Sequence, residues 1–367
     1  MNSSSVAVTG LGVVSAAGHD SASALNAVTA ADGLIGWVTS FEPEPGAAAL
    51  AAEVAPYDLD EVLGSRKSYV DPVASHFLAA CAYAVRDSVL DLSGRRGDDV
   101  GIAYGSAFGP LESATAFQQR IAEKGAKLAN PILFGHTYVN TAPSLAAIEW
   151  SIRGPNMTVC SGWTSGLTAL MLGADMIRER RASAVLAGAS EALSEPVYRG
   201  LCCAGLVNHS QDPAEWRQSP GIVPGEGGAV LVLEDEAAAR TRGATVRGHV
   251  FRACVRSDAE PARALATALS SCLGAMPTGA GPELYVSPAG GCPELEEAER
   301  SALAHVGLDP RDARVLRPAR ALGETFAVAG PLYCAIALEA LAPGEHALVA
   351  LLDRAGAGAC LIGRKVG

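Results

Sequence analysis

Short, mostly apolar runs recur along this 367-residue chain, edged by glycine or serine and separated by alanine-rich stretches with helical spacing. Val6 to Ser15, Val100 to Tyr104, Ser183 to Gly188 and Gly228 to Leu233 all have this form. A run that is apolar on both faces has to be covered on both, which describes a buried strand between helices rather than a half-solvated sheet. Helical segments follow: Ser21 to Ala31; Asp71 to Asp91, with Val73, Phe77, Ala80, Ala84, Val85 and Val89 on one side; and Ser161 to Arg180, entered from Met157-Thr-Val-Cys160. The theme then restarts with a strand over Val246 to Ala253, a helix over Pro261 to Leu273, a strand over Glu283 to Ser287 and a helix over Glu294 to Val306. A helix over Gly330 to Leu341 and closing strands over Ala347 to Leu352 and Gly358 to Gly363 complete it. Alternation of this kind predicts an α/β chain with a parallel sheet covered by helices. It divides into an N-terminal half, 1–242, and a shorter C-terminal half, 243–367, as a divergent duplication. No low-complexity linker separates them, so one shared core is expected.

Composition removes several classes of function. With 49% hydrophobic and 18% charged residues the chain has ample core and is not a disordered sequence. A formal charge of -11 repels phosphate backbones and anionic lipid, so neither nucleic acid nor a membrane is an expected partner. No apolar run reaches the roughly 18 residues a span requires. No basic segment followed by an apolar core opens the chain, Val6 to Ser15 being broken at Gly10 and Gly12, so a cytoplasmic protein is expected. Gly10-Leu-Gly12 lacks the third glycine and the acidic strand end of a dinucleotide site, and no cofactor is expected. The nine cysteines form no Cys-x-x-Cys pair or His/Cys cluster; no metal is expected, and they read as small buried hydrophobes, Cys160 being considered separately.

An ordered set of segments resembles the beta-ketoacyl synthase family of the thiolase fold. It comprises Val8-Thr-Gly10-Leu-Gly12, Arg153-Gly-Pro-Asn156, Thr164-Ser-Gly166 opening a helix, Ala187-Gly-Ala-Ser-Glu191-Ala192 and Pro224-Gly-Glu-Gly-Gly228. Tyr285-Val-Ser-Pro288 and Gly323-Glu-Thr-Phe-Ala-Val-Ala-Gly330 continue it through the second half. Each motif is weak alone; their order and spacing over nearly the whole chain are not. The resemblance implies a five-layered αβαβα fold of two duplicated halves and a dimer built side by side across the central sheets.

Condensation in that family needs a cysteine thiolate at a tight strand-to-helix turn, where the helix N-terminus and backbone N–H groups stabilise negative charge. Two histidines assist decarboxylation of the extender unit. On matching positions this sequence has Trp163 for the nucleophile, Ala289 for the first histidine and Glu324 for the second, with Ala319 where a lysine is usual. An indole forms no thioester. Glu324 is chemically able to act as a base, but without a nucleophile or first histidine a structural role, such as capping the following turn, is the better expectation. The closing segment from Asp353 to Cys360 is short and lacks the family's gating phenylalanine.

Loss of the chemistry with retention of the scaffold implies resemblance to a type II polyketide chain length factor, with the Gly323-Glu-Thr-Phe326 loop closer to the highly reducing, polyene-making branch. Such a protein is no enzyme on its own. It pairs with a catalytic ketosynthase subunit, meets acyl carrier protein through that complex, and closes the far end of the partner's acyl tunnel. On this resemblance Phe108, Leu111, Ala114 and Gln118 are the expected tunnel and chain-length positions, and Leu133, Phe134 and His136 the interface candidates. Two rivals stand beside it. One is an active acyltransferase or hydrolase with a relocated nucleophile, Cys160, for which inward packing at the end of a buried strand is the objection. The other is a homodimeric scaffold or binding protein.

Overall fold

The protein is described by a computed structural model covering residues 5–30, 33–43, 49–92, 99–276 and 281–364. Ten strands form one sheet: β1 (Val6–Val14), β2 (Val100–Gly105), β3 (Asn156–Val159), β4 (Ala184–Glu191), β5 (Gly227–Glu234), β6 (Gly248–Arg256), β7 (Leu284–Val286), β8 (Arg314–Leu316), β9 (His346–Leu352) and β10 (Ala357–Gly363). The helices used below are α1 (Ser21–Ala30), α2 (Pro72–Ser88), α3 (Leu111–Lys124), α4 (Ser165–Arg178), α5 (Glu195–Cys203), α6 (Pro261–Leu273), α7 (Pro293–Val306) and α8 (Ala329–Ala340). Ala31, the expected end of α1, lies outside the described residues.

The strand order is β8-β7-β9-β10-β6-β1-β5-β4-β2-β3. Counted outward from the seam where β6 meets β1, the two sides read β1, β5, β4, β2, β3 and β6, β10, β9, β7, β8. The same order occurs twice, five strands apart in sequence. At the seam the pairing is antiparallel and short, with Val6 opposite Val250 and Val8 opposite Gly248.

The expected parallel sheet is corrected here. Only the outer triplets (β4, β2, β3 and β8, β7, β9) run parallel, and the middle of the sheet is antiparallel. The reason lies in the connections. β9 and β10 are separated by four residues, too few for a crossover, and form a hairpin. β5 and β10 each return antiparallel between strands of their own half.

Helices cover the sheet in layers. α2 packs outside β1, β5 and β4; α6 packs outside β10, β6 and β9, with α7 beside it; α4 and α8 lie in the centre between the two sides. This is the five-layered αβαβα arrangement. Close approach explains the small residues. A Cβ on Gly12 of β1 would sit 1.9 Å from the Ala80 carbonyl oxygen of α2, a position only glycine can hold. α2 starts sharply because the Asp71 carboxylate accepts the Val73 N–H at 2.9 Å and Pro72 occupies the first turn. Its far end stops at Val89, where the backbone turns left-handed at φ +50. α8 is the most enclosed of these helices: every residue from Ala329 to Leu338 is buried.

Candidate functional site

The turn from β3 into α4 sets the site. β3 ends at Val159 and α4 begins at Ser165, so Trp163 stands at the mouth of the helix N-terminus. Its ring is half-buried and packs edge-on against Phe326, centroids 5.3 Å apart; Phe326 in turn meets Phe108 at 4.9 Å. Trp163, Pro288, Glu324, Phe326 and Tyr333 share one cavity of about 10 Å³, with Leu351 and Leu352 closing it. That is room for about one water molecule.

The structure brings positions 163, 289 and 324 to this place. Ala289 follows Pro288 and is buried, its N–H donating to Ser287 Oγ at 3.1 Å. A Cβ on the next residue, Gly290, would lie 3.1 Å from Glu324 Oε2 and 3.4 Å from Ala319 Cβ, so Glu324 and Ala319 both abut the loop that carries Ala289.

Glu324 is 6% exposed and its Oε1 accepts the Phe326 N–H at 3.0 Å. This bond caps the turn and helps hold Phe326 at φ +53, a left-handed conformation that costs a bulky residue about 1–2 kcal/mol. Burial pushes the Glu324 carboxyl up to about 8, with a smaller push from Asp353. A second buried carboxyl, Glu191, is also pushed up to about 8 by burial, against the bonds it accepts from the Ala107 N–H and from Ser106 Oγ at 3.1 Å. Those bonds fix the loop after β2 that carries Phe108.

Asp353 is the residue whose part in the site the sequence reading did not assign. It is 5% exposed and lies in the tight turn between β9 and β10. Its Oδ2 accepts the backbone N–H of Trp163 at 3.0 Å. Its Oδ1 accepts the N–H groups of Ala355 at 2.7 Å and Gly356 at 2.6 Å. The one sequence signal was an aspartate opening a small-residue turn, which marks a local cap. The bond to Trp163, 190 positions away, has no sequence signature.

Two expectations about cysteine are corrected. Cys160 is exposed, because β3 is the last strand of the sheet, paired only with β2, and its residues are exposed or half-buried. Inward packing is therefore no argument against it. Its chemistry is: partial desolvation, then the neighbouring Glu191, push the thiol above its ordinary value and disfavour the thiolate that acyl transfer needs. Cys203 is exposed and Cys202 half-buried, while the other six cysteines are buried as expected.

The expected tunnel positions divide. Phe108 joins the aromatic row at the site. Leu111, Ala114 and Gln118 lie along one side of α3, with Leu111 and Gln118 exposed and Ala114 half-buried. The adjacent side of α3, with Glu112, Thr115, Ala116 and Gln119, faces a cleft of about 260 Å³ closed by Phe41 and Leu193. Beyond α3, Phe134 is 46% exposed and meets Phe117 at a tilt and Tyr138 edge-on; Leu133 is half-buried. The His136 ring meets Tyr69 edge-on at 4.9 Å, and its Nδ1 has no hydrogen-bond partner. Large apolar side chains reach solvent throughout this stretch: Leu128, Ile132, Phe134, Tyr138, Ile148 and Met157. Among the described residues no helix is long and apolar enough to cross a membrane.

Comparison with known proteins gives the geometry a context. Residues 3–239 match a family model described as the N-terminal domain of beta-ketoacyl synthase. Over 267 residues, 71% of this chain, it is 28% identical to 3-oxoacyl-(acyl-carrier-protein) synthase 2 of Vibrio cholerae, covering 64% of that protein. Over 270 residues, 69% of this chain, it is 30% identical to the tetracenomycin polyketide synthase ketoacyl synthase alpha subunit of Streptomyces glaucescens, covering 63% of it. The matched sequence thus spans just under two thirds of these curated relatives. The fold matches the ishigamide ketosynthase/chain length factor structure with a TM-score of 0.86 and 18% identity, over 98% of this chain and 99% of that one.

Proposed function

The chain belongs to the beta-ketoacyl synthase family, and from that premise we propose that it is a non-catalytic chain length factor of a type II polyketide system. In this reading it forms a heterodimer with an active ketosynthase and bounds the shared acyl tunnel; acyl carrier protein meets the pair rather than this subunit, in the cytoplasm. The observation that carries the reading is the filling of the nucleophile position. Trp163 takes the place of the thiol and, with Phe326 and Glu324, leaves space for one water where an acyl group would have to sit. Neither imidazole stands where the family's two histidines would, since Ala289 and Glu324 occupy those positions. The division at 242/243 belongs to the same proposal and is supported by the repeated strand order.

A heterodimer also accounts for the surface. Among the described residues, the open edge of β3 and the exposed apolar side chains between Leu128 and Met157 form a stretch where burial against a second chain would remove apolar surface from water. Leu133, Phe134 and His136 belong to that face. The tunnel wall is assigned to α3 and the loop before it, through Phe108, Leu111, Ala114 and Gln118. The charge of -11 suits a subunit that leaves the acidic carrier protein to its partner.

The test is co-expression with a catalytic ketosynthase subunit of a type II polyketide system. A 1:1 complex on size exclusion is expected, and Phe134→Asp abolishes it while the free chain stays folded with a modestly lowered melting temperature, because Phe134 is 46% exposed and its packing on Phe117 and Tyr138 lies at the surface. Homodimers that ignore the ketosynthase would support a scaffold instead. An acyl adduct on Cys160, found by mass spectrometry after incubation with acyl thioester, would restore the active-enzyme reading. In the reconstituted pair Ala114→Trp shortens the major product. An unchanged product distribution removes Ala114 from the tunnel wall.

A further inference from the structure

The bond between Asp353 and the Trp163 N–H is not explained by loss of a nucleophile, since any side chain at 163 would leave that N–H in place. The backbone N–H at the nucleophile position is the kind of donor that stabilises the oxyanion of a tetrahedral intermediate. Here a buried carboxylate already sits on it at 3.0 Å, held from behind by the N–H groups of Ala355 and Gly356. The approach is tight: a Cβ on Gly162 would lie 2.8 Å from the same Oδ2. α4 begins two residues further on, so the carboxylate also lies by the positive end of its dipole.

We infer that Asp353 is a built-in anion occupying the oxyanion position, a second lock on the site that does not depend on which side chain position 163 carries. The inference rests on the proposed non-catalytic reading and adds a residue to it. A thiol restored at 163 would then remain poor at acyl transfer, because the negative charge on the attacked carbonyl oxygen would meet a carboxylate rather than a donor. Asp353 is a positioning residue in this sense: it acts through the Trp163 N–H and touches no substrate.

The chemistry used as a probe is simple transacylation. The thiolate of W163C attacks the carbonyl carbon of hexanoyl-N-acetylcysteamine. A carbon–sulfur bond forms, the carbonyl π pair moves to oxygen, and collapse expels N-acetylcysteamine thiolate, which takes up the proton the protein thiol released. No oxidation or reduction occurs. Iodoacetamide is the control, since alkylation by direct displacement requires thiolate and access but no oxyanion donor.

The experiment compares full-length W163C, W163C/D353A and W163C/D353N, with peptide mapping to place each adduct. W163C should alkylate readily yet acylate slowly. W163C/D353A should acylate about 100-fold faster, the size of effect one oxyanion donor carries, while alkylation changes by less than about tenfold, the part due to thiol ionisation. Millimolar formate, a small replacement anion, should slow acylation of W163C/D353A and leave alkylation alone. Should D353A unfold the turn, W163C/D353N serves: an amide has one acceptor oxygen and cannot accept at both ends as the carboxylate does, so acylation rises by a smaller factor. Equal acylation in all three variants, with the thiol alkylated in each, overturns the inference. Acylation of the wild-type chain at Cys160 would instead sink the non-catalytic reading and leave the Asp353 comparison intact.

Discussion

Between pH 5.5 and pH 8.5 the protein should lose stability that a Glu324→Gln variant keeps. Glu324 and Glu191 are buried, and each is pushed from 4.5 to about 8, chiefly by burial. Within that window the native carboxyl holds a proton that the unfolded chain has released, so the native state binds more protons. The stabilisation is fully present below pH 4.5, falls as pH rises and is gone once pH passes about 8. At about 1.4 kcal/mol per pH unit, each carboxyl accounts for a loss of about 3 kcal/mol between pH 5.5 and 8.5. Glutamine stays neutral and its oxygen can still accept the Phe326 N–H, so Glu324→Gln removes one of the two contributions without emptying the site. Urea denaturation of both proteins at the two pH values checks this. The stability difference between them should shift by about 3 kcal/mol in favour of the variant as pH rises, and parallel curves would show that Glu324 is not protonated in the fold.

Gly166→Ala should cost about 3 kcal/mol, a large effect for adding one methyl group. The new Cβ would lie 2.0 Å from the Ala327 carbonyl oxygen, 2.8 Å from Pro331 Cδ and 2.9 Å from Ala189 Cβ. None of these is the free end of a flexible side chain: the first is backbone, the second a ring and the third a strand residue. Relief requires α4 to back away from the 326–328 turn, or that turn to move off β4. Either movement pulls the Phe326 ring from Trp163, so the variant should also show altered tryptophan fluorescence in its native baseline. A guanidinium midpoint within error of wild type would refute the close packing of α4 on that turn.

Much of this fold was legible because its elements are strongly patterned. The helix Pro261–Leu273 was read to the residue, helped by a proline at its first position, and the seam strand Val6–Val14 by a run with no polar alternation. What escaped was set by neighbours distant in sequence. A short run such as Asn156–Val159 carries no mark of being an edge strand, so Cys160 was read as packed inward although it faces solvent. The antiparallel middle of the sheet follows from where β5 and β10 return, a matter of topology that local pattern does not contain. At the site, Trp163, Ala289 and Glu324 could be nominated by motif order. Asp353 could not, because its contact with Trp163 depends on how the β9–β10 turn meets the start of α4.

The burial of α8 has a consequence for how such a chain is made. A helix enclosed from Ala329 to Leu338 is wrapped by parts of both halves, and it lies against α4 and β5, which come from the first. On the ribosome β5 is complete about a hundred residues before α8 is made, on the order of 5–20 s at ordinary elongation rates. Throughout that interval the inward faces of α4 and β5 have no final partner. The first half must wait as an unfinished layer with its apolar side open, and the last third of the chain serves it as an internal chaperone delivered late.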